Sequence, residues 1–361
     1  MKSLADILAT GLSPLLQRLE RHKLAALESG FRRWWANSDL NRPGEDDAEQ
    51  TEALLLFLLH EVEETLEAIY YLRGQRVEFD SRYAHAVTRR ERRQHVLDFA
   101  RILGADAATL KADRAAFARW FGHDAVTDRF QRRHGEKEQH AAFCLERIGA
   151  LAGHLIGAID DASQRVRLFR SLRLDTRIEP ILAYDGDPRV RIRAFGCLAA
   201  ALRGLPAEAR ERQVKSAVLQ YIYRAALDER HDLWIQCEAL ALLQHLSADS
   251  FARAARHRLE APGGDDTLFV RRRVVRLLGD NLAQRPELTG LLERASDDAS
   301  PFVRQAVAAA LVQAPAEACL ALFRKLAHAD GEAAVRGAAL VELPALVQRS
   351  ALRDALLADT N

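Results

Sequence analysis

The chain has 361 residues, 48% hydrophobic and 29% charged, which supplies a packed interior and excludes a disordered polymer. Its 52 Lys and Arg are balanced by 51 Asp and Glu, so a formal net charge of +1 provides no global field toward nucleic acid or anionic membrane. Cys144, Cys197, Cys237 and Cys319 stand far apart without a CxxC pair, which argues against a disulfide framework or a zinc ribbon and fits a reducing compartment.

The first stretch, "MKSLADILATGLSPLLQRLERHK", carries an acid inside its apolar part and no small-residue cleavage site. It predicts one amphipathic helix over 4–28 and not a signal peptide, and a cytoplasmic location is the expectation. Further helices are predicted over 48–73, 81–103, 107–121, 136–158 and 163–172, with breaks at "NRPGEDD" and "RGQRVEFD". No run alternates over strand length. The most apolar run, "ALLLFLLHEV", is too short to span a bilayer before Glu61, Glu63 and Glu64, so no membrane insertion is expected.

Two stretches in this half carry titratable groups at short spacing. In "HEVEE", His60 and Glu64 share a helical face, but neither the HExxH nor the Glu-x-x-His order of helical metal sites is present; an acidic solvated face is expected. In "RHGEKEQH", His134 and His140 are six residues apart and lie on different faces, so a polar helix junction is expected. No Gly-rich phosphate loop or nucleophile elbow occurs, and neither a metal nor a cofactor is expected.

From about residue 175 one motif recurs. Its copies are "DGDPRVRIRAFGCL", "RHDLWIQCEALALL", "DDTLFVRRRVVRLL", "DDASPFVRQAVAAAL" and "DGEAAVRGAALVEL". The aliphatic anchors Val190, Ile235, Val270, Val303 and Val335 are separated by 45, 35, 33 and 32 residues, the mark of a stacked repeat. Small or apolar residues follow four and eight positions on, as in Val190, Ala194 and Leu198, which defines one helical face. Asp187, Asp266 and Asp298 stand where helix-start N–H groups need acceptors, and Pro188 and Pro301 suit a first turn. An apolar stretch precedes each acid, so each unit reads as helix, acidic turn, helix.

These strings resemble the HEAT-repeat family of α-solenoids over residues 175–350. The resemblance implies an all-α, right-handed superhelix of stacked antiparallel helix pairs, residues 175–361, with residues 1–174 as a divergent helical cap or degenerate repeats. It also implies a ladder in which Arg191, Arg271, Arg304 and Arg336 bridge to Asp187, Asp232, Asp266, Asp298 or Asp330 of neighbouring repeats. Gln236 departs from the pattern and weakens the ladder there.

In that family the second helix of each unit lines the concave side, which would direct Arg193, Glu238, Arg272 and Arg273 into a groove of mixed charge. A mixed groove favours a protein or peptide partner over a nucleic-acid backbone. Trp234, Phe269 and Phe302 each precede an anchor; Trp234 and Phe269 are secondary contact candidates, and packing between repeats is the competing account of the row. The expectation is a non-enzymatic scaffold or adaptor. The alternative is a HEAT-like DNA-binding protein or alkylated-base DNA glycosylase, for which Trp120 and Asp124 in "WFGHDAVTD" offer a loose similarity, and the basic cluster "TRRERRQH" a phosphate contact.

Overall fold

The computed structural model describes residues 3–36, 47–72, 124–184, 186–260, 267–349 and 352–353; among them no strand occurs. The chain forms two compact units, Met1–Lys215 and Ser216–Asn361.

In the first unit, α1 (Leu4–Leu8), α2 (Pro14–Leu19) and α3 (Arg21–Ala36) replace the single helix expected over 4–28. The breaks are local. Gly11 takes a left-handed φ of 76°, and Ser13 then accepts the Leu16 N–H ahead of Pro14 at the first helical position. Next come α4 (Asp47–Leu72), α5 (Asp124–Gly157), α6 (Ala162–Leu172), α7 (Leu174–Leu182), α8 (Pro188–Arg203) and the short α9 (Ala207–Arg210).

Helix α5 packs on both α4 and α8. A Cβ on Gly149 would lie 2.9 Å from Cys197 Cα, and one on Gly153 would lie 2.9 Å from the Ala200 carbonyl oxygen. Two glycines one turn apart therefore let the backbones of α5 and α8 approach closely. That contact fastens the first clear helix pair, α7 and α8, to the N-terminal helices, and the unit ends at Lys215 instead of at 174.

Among the described residues the second unit holds four more pairs: α10 (Ser216–Leu227) with α11 (Leu233–Leu246), α12 (Ala248–Glu260) with α13 (Leu268–Gly279), α14 (Thr289–Ala295) with α15 (Pro301–Ala310), and α16 (Ala316–Arg324) with α17 (Ala333–Val347). First helices pack on first helices and second on second, which gives two layers. All five anchors, Val190 through Val335, are buried, as are the residues four and eight positions after the first three of them. Alanine and valine at these positions leave the narrow stripe that stacking helices need.

The turn acids shape each junction. Asp187 accepts the N–H of Arg189 at 2.8 Å, Asp232 that of Trp234 at 2.8 Å, Asp298 that of Ser300 at 2.9 Å and Asp330 that of Glu332 at 2.9 Å. Asp266 lies outside the described residues.

Candidate protein-binding surface

The layer of second helices is held in register by arginines one residue after the anchors. Arg271 binds Asp298 of the next unit through Nε at 2.8 Å and Nη2 at 3.1 Å, and Arg304 binds Asp330 at 2.7 and 3.0 Å. Paired guanidinium and carboxylate edges fix orientation as well as charge. At Arg336 the hydrogen bonds among the described residues go to the carbonyls of Asp330 and Gly331.

Two expected rungs are built differently. Asp187 holds the side chain of Arg189, its own neighbour, while Arg191 Nε donates to the Leu182 carbonyl at 2.9 Å. The 45-residue first repeat is longer than the later ones, so no acid of a following unit stands at the offset that Arg271 and Arg304 use. In the second unit Gln236 replaces the arginine, and the first helix of the following pair makes up the loss. Arg258 of α12, buried, donates to the Ala226 carbonyl at 3.0 and 2.8 Å and to Gln236 Oε1 at 2.6 Å, and Gln236 Nε2 donates to the His231 carbonyl at 2.7 Å. The signal for Arg258 was a lone basic residue on the apolar face of "FARAARHRLE".

The residues before the anchors face water. Trp234 is 67% exposed, Phe269 58% and Phe302 52%, on three second helices that pack side by side. Packing between repeats therefore does not account for the row; before Trp234 and Phe302 the acid that folds the turn, Asp232 or Asp298, sits just upstream and turns the anchor inward, which leaves the preceding side chain outward.

One helical turn beyond Phe269, Arg272 and Arg273 are half-buried, and Arg276 is exposed beyond them. Nε of Arg272 is shielded from solvent and has no hydrogen-bond partner. Glu238 is half-buried on α11, one turn beyond Trp234. Burial pushes the thiol of Cys237 up to about 11. Trp234 and Glu238 stand on α11 and Phe269, Arg272 and Arg273 on α13, two second helices that pack on each other. Arg193 belongs to the first unit, where its Nη2 lies 3.3 Å from Glu146 on α5.

The acid-rich stretch "HEVEE" of α4 is not the solvated face expected. Glu63 is buried and accepts from Arg177 Nε at 2.7 Å, and His60 is buried beside the Trp34 ring. Glu61 meets His140 at 3.2 Å, and burial, which raises its carboxyl, is outweighed by that histidine. Glu138 is likewise buried, accepting from the Tyr184 hydroxyl at 2.5 Å and from the Asp187 N–H at 2.9 Å. A Cβ on Gly186 would fall 2.2 Å from that carboxylate, so only glycine fits there. These groups are already consumed by internal pairing, and among the described residues no cluster of three or more His, Cys, Asp or Glu could hold a metal ion. No described helix is long and apolar enough to cross a membrane.

Trp120 and the cluster "TRRERRQH" lie outside the described residues, as does the side chain of Asp124. No protein-family model and no curated protein matches the chain. Among solved structures it is similar to the crystal structure of an engineered protein, with 15% identity, a TM-score of 0.37 and coverage of 95% of this chain and 82% of that one. It is also similar to human deoxyhypusine hydroxylase in complex with glycerol, with 18% identity, a TM-score of 0.30 and coverage of 82% and 96%. The expectation that the chain is not an enzyme is withdrawn, because a helical-repeat fold does not by itself exclude catalysis. What the chain itself displays is a helical-repeat fold.

Proposed function

We propose that this chain is a HEAT-type repeat protein that works as a scaffold or adaptor, holding a protein or peptide segment on the second-helix layer of its C-terminal unit. The observation that carries the reading is the exposed row Trp234, Phe269 and Phe302. Three large aromatics at successive repeats cost solvation free energy without serving the core, and aromatic side chains flanked by arginine are what interface centres are made of. Arg272 and Arg273 add half-buried guanidinium groups, and Glu238 keeps the charge mixed. Both features suit a polypeptide, which offers carbonyls, acids and apolar anchors together, better than a uniformly anionic nucleic-acid backbone.

The purified full chain, used as bait, should retain a protein in stoichiometric amount, identified by mass spectrometry. A Trp234→Ala, Phe269→Ala double variant and an Arg272→Glu, Arg273→Glu double variant should each weaken its binding about tenfold or more, with helicity and melting temperature nearly unchanged. Unchanged affinity in both variants would overturn this reading and move the interface to the first unit.

A further inference from the structure

The exposed aromatics recur with a period that a ligand has to match. Trp234, Phe269 and Phe302 each stand one residue before the anchor of α11, α13 and α15, and these helices pack side by side in that order. Packed helix axes lie about 8–10 Å apart, so three rings in one register leave two gaps about one such spacing apart. A polyproline II segment has three residues per turn and a rise of about 3.1 Å, which puts residues i and i+3 on one side about 9.3 Å apart. A β-strand repeats one face about every 6.6 Å and falls out of step with the row. An α-helix comes into step only at every seventh residue, about 10.5 Å on.

Charge and hydrogen-bonding capacity decide between the two that fit. Beyond the aromatics, α13 carries Arg272 and Arg273, half-buried, and Arg276, exposed, while α11 carries Glu238 and α15 the uncharged Gln305 and Ala309. This flank is cationic. On the other flank, Asp232 and Asp298 fold their own turns, and Asp298 also receives Arg271. Guanidinium groups and the indole of Trp234 can donate hydrogen bonds but not accept them. Carbonyls inside a helix are spent on its own turns, whereas a polyproline II backbone makes no internal hydrogen bonds and leaves every carbonyl open to a donor. Donors beside exposed rings therefore suit an extended segment better than a helix.

We infer that the row takes an acidic, proline-rich segment in the polyproline II conformation, with prolines at Pro-x-x-Pro spacing and an Asp or Glu at one of the two intervening positions. This rests on the adaptor reading above and names the chemistry of its partner. One proline fills the gap between Trp234 and Phe269 and the other that between Phe269 and Phe302. With three residues per turn, an intervening side chain then points along the helices, where the acid meets Arg272 and Arg273. Trp234 and the arginines donate to the carbonyls of the segment. Because proline holds the segment extended before it binds, little conformational entropy is lost on docking.

The test uses the full chain and labelled peptides of about twelve residues, read by fluorescence anisotropy. A peptide of Pro-Pro-Glu repeats should bind saturably, and about tenfold or more weakly to the Trp234→Ala, Phe269→Ala variant and to the Arg272→Glu, Arg273→Glu variant. Circular dichroism melts establish that both variants are folded. Peptides of Gly-Gly-Glu repeats, equally charged but flexible, and of Pro-Pro-Lys repeats should each bind about tenfold more weakly than Pro-Pro-Glu. Absence of Pro-Pro-Glu binding, equal binding by the two variants, or equal binding of Gly-Gly-Glu overturns the inference. So does tighter binding, at the same salt, of an acidic helix-forming peptide with leucine at every seventh position or of a single-stranded oligonucleotide. The adaptor reading is judged separately, by the protein retained on the bait. If that protein still depends on Trp234 and Phe269 while Pro-Pro-Glu does not bind, the adaptor reading stands and the proline-rich class alone falls.

Discussion

Arg271 and Asp298 are joined by two hydrogen bonds across the boundary between successive helix pairs, and the same Asp298 oxygen that receives Nη2 also accepts the Ser300 N–H. One carboxylate thus folds its own turn and receives the preceding unit's arginine. Both side chains are nearly buried, at 4% and 9% exposure, so the pair registers one repeat on the next in a water-poor setting.

Removing either partner leaves the other charge unpaired. Arg271→Ala and Asp298→Ala should each cost about 3–5 kcal/mol in urea denaturation, and the double variant should cost much less than their sum. Arg304→Ala should lower stability by about 2 kcal/mol or more without altering partner binding at the aromatic row. Additive losses would show that the pair does not act as one unit.

The ladder also sets an acid limit. Asp330 is held below the usual carboxylate range, chiefly by the hydrogen bond from Arg304, with burial opposing it. A depressed folded value means that its stabilisation is in place above the unfolded pKa of about 3.9 and is lost as pH falls through the folded value. Wild-type melting temperature should therefore fall more steeply below about pH 4 than that of Arg304→Gln, which has already lost the pair. Parallel curves would remove Asp330 as a source of the acid sensitivity.

Glycines in this chain divide by what surrounds them. A methyl group at Gly149 meets the Cys197 backbone at 2.9 Å, while one at Gly337 meets nothing within 4 Å. Gly149→Ala should destabilise by about 1–3 kcal/mol through overpacking. Gly337→Ala should stabilise by about 0.5–1 kcal/mol through helix propensity. Thermal or chemical melts of the two variants check both signs; a loss at Gly337 would mean that its surroundings are occupied.

All four cysteines are buried and free. Burial raises the thiol of Cys197 to about 12 and those of Cys237 and Cys319 to about 11, and raises Cys144 well above its ordinary value. Thiolate, the reactive form, is therefore scarce at neutral pH. A thiol reagent at pH 8 should modify none of them rapidly in the folded protein and all four after denaturation. Rapid native labelling of any one would reveal an opening that exposes its helix.

The repeat was legible because its causes are local. An acid before a helix start, an aliphatic anchor and small residues at spacings of four and eight dictate a short turn and a narrow packing face, whatever the rest of the chain does. The break near Gly11 was legible too, in a Gly followed two residues later by Ser-Pro, although helical periodicity over 4–28 outweighed it. Other features depended on residues far apart in the chain. Glu63 lies 114 positions from Arg177 and Glu138 lies 46 from Tyr184, so Glu63, on a face that read as solvated, and Glu138, in a stretch that read as a polar junction, are both interior once α4, α5 and α7 converge. Arg258 becomes a substitute rung only because folding sets it against Gln236. Whether Trp234, Phe269 and Phe302 fill a core or face water was likewise undecidable from their spacing, since a residue preceding an anchor can turn either way. Tertiary packing decides it: the anchors take the interior, and the aromatics before them are left in solvent.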